Sequence, residues 1–104
     1  MLTFTQTELG GHAQVAGPMT IHNAMELKCQ FMEALSVSQH LQLDLATVTE
    51  IDAAGLQLLI MAKQHQIHIQ HELTLINHSA TVVEALEMMG LVSWFNDPVI
   101  ITRQ

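Results

Sequence analysis

The sequence predicts an α/β domain in which helices pack against a mixed β-sheet. Segments with two-residue hydrophobic alternation take turns with segments of helical periodicity, and the joins between them are short. Strands linked through helices favour parallel pairing with right-handed crossovers, whereas the opening pair is separated only by a glycine turn and favours a hairpin. At 104 residues the chain fits one domain spanning the whole sequence. A domain of that size buries roughly 65% of the surface its unfolded chain exposes, enough for a real core.

Met1 to Glu8 sets Leu2 and Phe4 against Thr3, Thr5 and Thr7, the alternation of a half-buried strand. Gly10-Gly11 reads as a turn and His12 to Ala16 as the returning strand. Gly17-Pro18 is expected to end that strand, and the Thr20 hydroxyl to cap a helix reaching about Leu35. Ile21, Ala24, Leu27, Lys28, Phe31 and Leu35 fall near helical spacing, with Asn23, Glu26, Gln30 and Glu33 on the polar side. Met25, Cys29 and Met32 widen the apolar side, so this helix is expected to be well covered.

His40 to Leu45 reads as a central strand, with Leu41, Leu43 and Leu45 alternating against Gln42 and Asp44. Asp52 caps a second helix that runs from Ala53 to about His65–His68, its stripe formed by Leu56, Leu59, Ile60, Lys63 and Ile67. Glu72 to Ile76 is the next strand. Ser79 caps a third helix whose Val82, Val83, Leu86 and Met89 share a face, and Gly90 supplies a left-handed stop. Val99 to Thr102 closes the chain as a last strand behind Pro98. The expected architecture is a sheet of about five strands with three main helices.

Composition narrows the function. Ten acidic residues stand against three basic ones, Lys28, Lys63 and Arg103. Nucleic-acid binding requires cations that displace counterions from phosphates, so this chain is not expected to bind nucleic acid. No apolar run approaches the roughly 20 residues of a membrane helix, which argues against direct membrane insertion. Met1 to Glu8 has neither a basic end nor an apolar signal core, so a cytoplasmic location is the expectation. Cys29 stands alone, without a second thiol for a disulfide or a zinc site, and reads as a small packing residue.

The informative stretch is Leu43-Asp44-Leu45, a short run of small and polar residues, and then Ile51-Asp52-Ala53-Ala54-Gly55-Leu56. A strand ending in Asp leads through a loop holding Thr47 and Thr49 to a helix that opens at Asp-x-x-Gly-Leu. This resembles the STAS domain, the fold of bacterial anti-sigma factor antagonists, whose pattern is Leu-Asp-Leu followed by Ile-Asp-Ser-Ser-Gly-Leu. Ala16-Gly17-Pro18-Met19-Thr20 resembles the family's turn into its first helix, and Gly90-Leu91-Val92 with Trp94-Phe95 its exit from the third.

The resemblance implies a protein partner. Antagonist-type members bind an ATP-using kinase that otherwise holds a sigma factor, and phosphorylation of the second Ser ends that binding. Here the matching positions are Ala53 and Ala54, which carry no hydroxyl, so the family's phospho-switch is missing at Ala54. The expected partner surface is Asp44, Thr47, Thr49, Asp52, Ala53, Ala54, Gly55, Gln57 and Leu58, facing a histidine-kinase-like ATPase or a signalling scaffold, as the resemblance to antagonists or to chemosensory-associated STAS proteins implies. The alternative implied by the resemblance is an accessory STAS subunit bound to the ATPase of an ABC-type lipid transporter.

Other chemistries are weaker. Asp44 and Asp52 bracket the loop, but paired-carboxylate catalysis needs two carboxyls converging on one pocket. Asp52 has the simpler task of a helix cap, and Asp44 that of tying down the chain after a strand end. His65, His68 and His71 are spaced by three, yet no His-Glu-x-x-His pattern is present and the helix is expected to end among them. No metal and no cofactor is expected, and no catalytic residue. Trp94-Phe95 is expected to close the core rather than to anchor a partner.

Overall fold

The computed structural model describes residues 1–7 and 10–95. Strand β1 (Leu2–Thr7) is followed by β2 (Gly10–Met19), α1 (Ala24–Val37), β3 (His40–Ile51), α2 (Ala53–His68), β4 (Glu72–Ile76), α3 (Ala80–Met88) and a short α4 (Val92–Phe95). The sheet order is β1-β2-β3-β4. β1 pairs antiparallel with β2, while β2–β3 and β3–β4 are parallel. A hairpin thus opens the fold and two helical crossovers extend it, as the connection lengths require.

Strand pairing sorts the side chains by face. Ala13, Val15, Leu41, Leu43, Leu45, Leu73 and Leu75 share the buried face. His12, Gln14, Gln42, Asp44 and Thr74 occupy the other. Leu27, Phe31, Ala34 and Leu35 of α1 join the same core as Leu56, Leu58, Leu59 and Ala62 of α2 and Val82 and Leu86 of α3. Gln66 is fully buried among them, its Nε2 donating to the Ser38 carbonyl at 3.2 Å and the Glu72 carbonyl at 3.3 Å. Those two bonds pin the end of α2 to the entries of β3 and β4.

Two register shifts shape the centre of the sheet. Between the pairs Gln14–Asp44 and Ala16–Thr47, β3 gains one residue on β2, and it gains another between Gly17–Val48 and Pro18–Glu50. Each bulge inverts which alternate residues face inward. Leu45 and Val48 are both buried although they are three residues apart, and Ile51 then falls opposite the buried Met19.

Several sequence expectations need correction. Gly10-Gly11 lies within β2 rather than in a turn, and β2 continues through Gly17-Pro18 to Met19 because β3 accompanies it that far. β3 runs to Ile51 rather than stopping at Leu45, so Thr47 and Thr49 are strand residues and Asp44 is mid-strand. α1 begins at Ala24, with Asn23 rather than Thr20 at the cap position. Instead of capping, Thr20 offers its backbone N–H to Asn23 Oδ1 at 2.8 Å. Met89 is exposed, outside the face made by Val82, Val83 and Leu86. The described residues form four strands rather than about five, and the expected strand Val99–Thr102 lies outside them. Gly90, at φ 66°, takes the left-handed conformation expected after α3.

Candidate functional site

The candidate site is the junction where β3 delivers the chain to α2. Asp52 is the last extended residue before the helix, at φ −119° and ψ −171°. Its Oδ1 accepts the Gly55 N–H at 3.1 Å, satisfying one of the donors that a helix start leaves without a partner. Its Oδ2 accepts the Ile21 N–H at 3.0 Å, across from the segment that leads into α1. The Asp52 N–H itself donates to the Met19 carbonyl at 3.2 Å. The carboxylate therefore ties the start of α2 to the turn that leads into α1, and the backbone of the same residue ties it to the end of β2. The N–H groups of Ile21 and then Gly55 hold its carboxyl below the ordinary carboxylate range, since both bonds favour the charged form.

Gly55 explains the fourth position of the motif. A Cβ there would run into the Met19 carbonyl oxygen and the Ile51 side chain. The first turn of α2 consequently lies closer to the sheet than any side chain would permit. Around this buried glycine the surface is small and open: Ala53 is exposed, Ala54 half-buried, and Gln57, Thr47 and Thr49 exposed. Gly55 and Leu58, expected on the partner surface, are both buried, because that side of α2 faces the sheet. They shape the site from beneath.

Asp44 belongs to a different knot. Its Oδ1 accepts the Ala46 N–H at 2.9 Å, and its Oδ2 accepts the Asn77 side-chain amide at 3.0 Å and stands 3.8 Å from His12 Nε2. It does tie down the chain that follows, but as the pin of the first β3 bulge. Asp44 and Asp52 share no bonding partner, and the hollow of about 470 Å³ bordered by Gly10, His12, His40 and Glu72 contains neither.

The family model described as "Mlab, STAS domain" matches residues 3–97, nearly the whole chain. The chain belongs to the STAS domain family. Among solved structures, this STAS domain resembles the anti-sigma factor antagonist SpoIIAA in its unphosphorylated form, at 13% identity, 100% coverage of this chain, 90% of that one and a TM-score of 0.75. SpoIIAA of Bacillus in its phosphorylated form gives 13% identity, 100% and 93% coverage and a TM-score of 0.72. An anti-sigma factor antagonist from Mycobacterium paratuberculosis gives 14% identity, 95% and 83% coverage and a TM-score of 0.80. At such identities the likeness is one of fold. No curated protein matches the chain.

The remaining candidates fall into place around the STAS core. Phe95 is buried and Trp94 is 41% exposed, their rings meeting edge to face at 4.8 Å, so only the phenylalanine closes the core. His68 is exposed while His65 and His71 are half-buried, and among the described residues no three His, Cys, Asp or Glu side chains could jointly hold a metal ion. Cys29 is exposed, not packed, because it points away from the face of α1 that carries Leu27, Phe31 and Leu35. Sequence reading missed the bond between Ile21 and Asp52. The nearest signal was Thr20-x-x-Asn23, whose mutual hydrogen bond fixes the turn that brings the Ile21 N–H to the carboxylate.

Proposed function

We propose that this STAS domain is a non-catalytic, cytoplasmic protein-binding module whose partner surface is built on Asp52, Ala53 and Ala54. Thr47, Thr49 and Gln57 frame that surface, Gly55 and Leu58 set its shape from below, and Asp44 holds the strand that leads to it. The observation that carries this reading is the Asp52 knot: it fixes a helix start rigidly, and next to it stand side chains too small to do anything but admit a neighbour. A rigid, small-residue platform costs little ordering entropy on association.

Ala54 decides how such a surface is controlled. A phosphate at this position would add about two negative charges beside the Asp52 carboxylate, on a surface that must be desolvated in a complex. With alanine there, that control is absent, and binding is constitutive unless the partner or its abundance changes. The partner is a histidine-kinase-like ATPase or a signalling scaffold. A second reading, favoured by the missing hydroxyl, is an accessory subunit on the ATPase of an ABC-type lipid transporter. There the same surface serves assembly, and no switch is needed.

The test is Ala54→Glu, which places a charge where the family places its phosphate. The partner recovered with the natural chain should be lost, while circular dichroism stays native. Retained affinity in a folded variant would remove this surface from the interface. Recovery of an ABC-type ATPase would select the second reading.

A further inference from the structure

The side of α1 that faces away from the core is apolar as well. At 100° per residue, Leu27, Phe31, Ala34 and Leu35 cluster on one side of the helix, and Met25, Cys29 and Met32 cluster on nearly the opposite side. Met25 is 81% exposed, Cys29 is exposed, and Ile21, in the turn before the helix, is 71% exposed. Met25, Cys29 and Met32 make a stripe of about 10 Å along the helix, which Ile21 extends into the preceding turn. It starts at the residue whose N–H is bonded to Asp52, so it runs on directly from the Asp52–Ala54 platform. Methionine and cysteine are soft, adaptable side chains, suited to a surface that another chain must cover.

Charge says what kind of chain. Glu26 and Glu33 border the stripe seven residues apart along one edge, with Lys28 on the other, while Glu50 and Asp52 lie at the end where the platform begins. The protein as a whole carries a formal charge of −7. A second copy would bring the same negative excess, with one Lys28 against Glu26, Glu33, Glu50 and Asp52 on each side. A partner helix with an apolar stripe and lysine or arginine beside it would satisfy both the stripe and the rim.

We infer that the outer face of α1, formed by Ile21, Met25, Cys29 and Met32, is a docking surface for a basic amphipathic helix of the partner protein, continuous with the Asp52–Ala54 platform. The inference rests on the proposed binding role but concerns a different set of residues, so each can fail alone.

The test uses the full chain, labelled with nitrogen-15, and a synthetic 18-residue amidated helical peptide of leucine and lysine, with a matched leucine–glutamate peptide as control. The lysine peptide should shift the amides of residues 21–36 and protect Cys29 from maleimide, and the glutamate peptide should do neither. The double variant Met25→Ser with Met32→Ser should weaken binding at least tenfold with the fold retained, and Glu26→Gln with Glu33→Gln should weaken it several-fold. Equal binding of both peptides would overturn the proposal, as would shifts confined to the opposite sheet face around His12, Gln42 and Thr74. So would a dimer in solution whose Cys29 is already protected, since the stripe would then be covered by a second copy. Ala54→Glu, assayed against the natural partner, reads the platform separately: its failure leaves the peptide result standing, and the reverse holds too.

Discussion

Helices α1 and α2 rest against one another and against the same sheet, but they are finished differently. α2 buries Leu56, Leu58, Leu59 and Ala62 and shows Ala53, Gln57, Gln64 and His68 on its far side. α1 buries Leu27, Phe31, Ala34 and Leu35 and shows Met25, Cys29 and Met32. Their starts differ as well. α2 is capped by its own Asp52, whereas the Asn23 side chain makes no capping bond within α1 and instead accepts from Thr20 and donates to the Pro18 carbonyl. α2 carries its own cap, and beyond its first turn its exposed side is mostly polar, with Ile67 the exception. α1 is complete on one side and begins at a point held by the cap of α2.

That contrast can be broken most forcefully inside α2. Leu59 is fully buried, so Leu59→Ala should cost about 3 kcal/mol of stability from lost burial and the cavity left behind, read as a lower urea midpoint. Gly55→Ala follows. Alanine is the better helix former, yet its methyl group must push α2 off the Met19 carbonyl, and a net loss of about 2 kcal/mol is expected in the same titration. A gain in stability would mean that the close approach is not enforced.

Asp52 tests the link between the two helices. Its carboxyl is held below the ordinary range, so its stabilisation is fully present above about pH 4 and drains away as pH falls through the folded-state value. Asp52→Asn should lower the melting temperature near neutrality and flatten the acid limb of melting temperature against pH. The amide shifts of residues 21–24 should change along with those of 53–56, because both N–H partners are affected. Changes confined to α2 would leave α1 independent of the cap. Smallest of all, Met25→Ser should alter stability by less than about 0.5 kcal/mol, since its side chain contributes little to the folded domain.

The same contrast explains what could be read from the sequence. α2 was legible in its bounds and its cap, where Asp52 and Gly55 sit at cap spacing, but not in all of its facing: Ile67 of the expected stripe is exposed and Gln66 is buried. α3 was legible at its cap, where the Ser79 hydroxyl accepts the Val82 N–H at 3.3 Å. α1 was legible as a helix with Leu27, Phe31 and Leu35 on its inner face, but how far that face extends was not, because periodicity reports which positions are apolar and cannot say how many of them the sheet covers. With both sides apolar, Met25, Cys29 and Met32 merged with the core pattern. The helix start was placed correctly at Asp52, but the depth of Gly55 and Leu58 was not, since burial at a helix start depends on how closely β2 approaches. The extension of β3 past Leu45 was hidden for a related reason. Ala46-Thr47-Val48-Thr49 breaks the two-residue alternation, and only the partner strand shows that the break is a pair of bulges.

Those bulges make chain length, more than residue type, the quantity that positions the site. Because β3 gains two residues on β2, the facing it has at Leu45 is restored by Ile51. Removing one residue anywhere between them would leave the strand half a cycle out of phase and turn Asp52 toward the wrong side of the sheet. Removing two would restore the facing but bring the helix start up short by about 7 Å. Exchanging Thr49 for another side chain touches only the surface, and exchanging Thr47 gives up one bond, its hydroxyl to the Val15 carbonyl at 3.0 Å, whereas an insertion or deletion in the same few residues displaces everything downstream. The stretch between Leu45 and Asp52 acts as a measured spacer, fixed in count and, apart from the inward Val48 and Ile51, loosely constrained in composition.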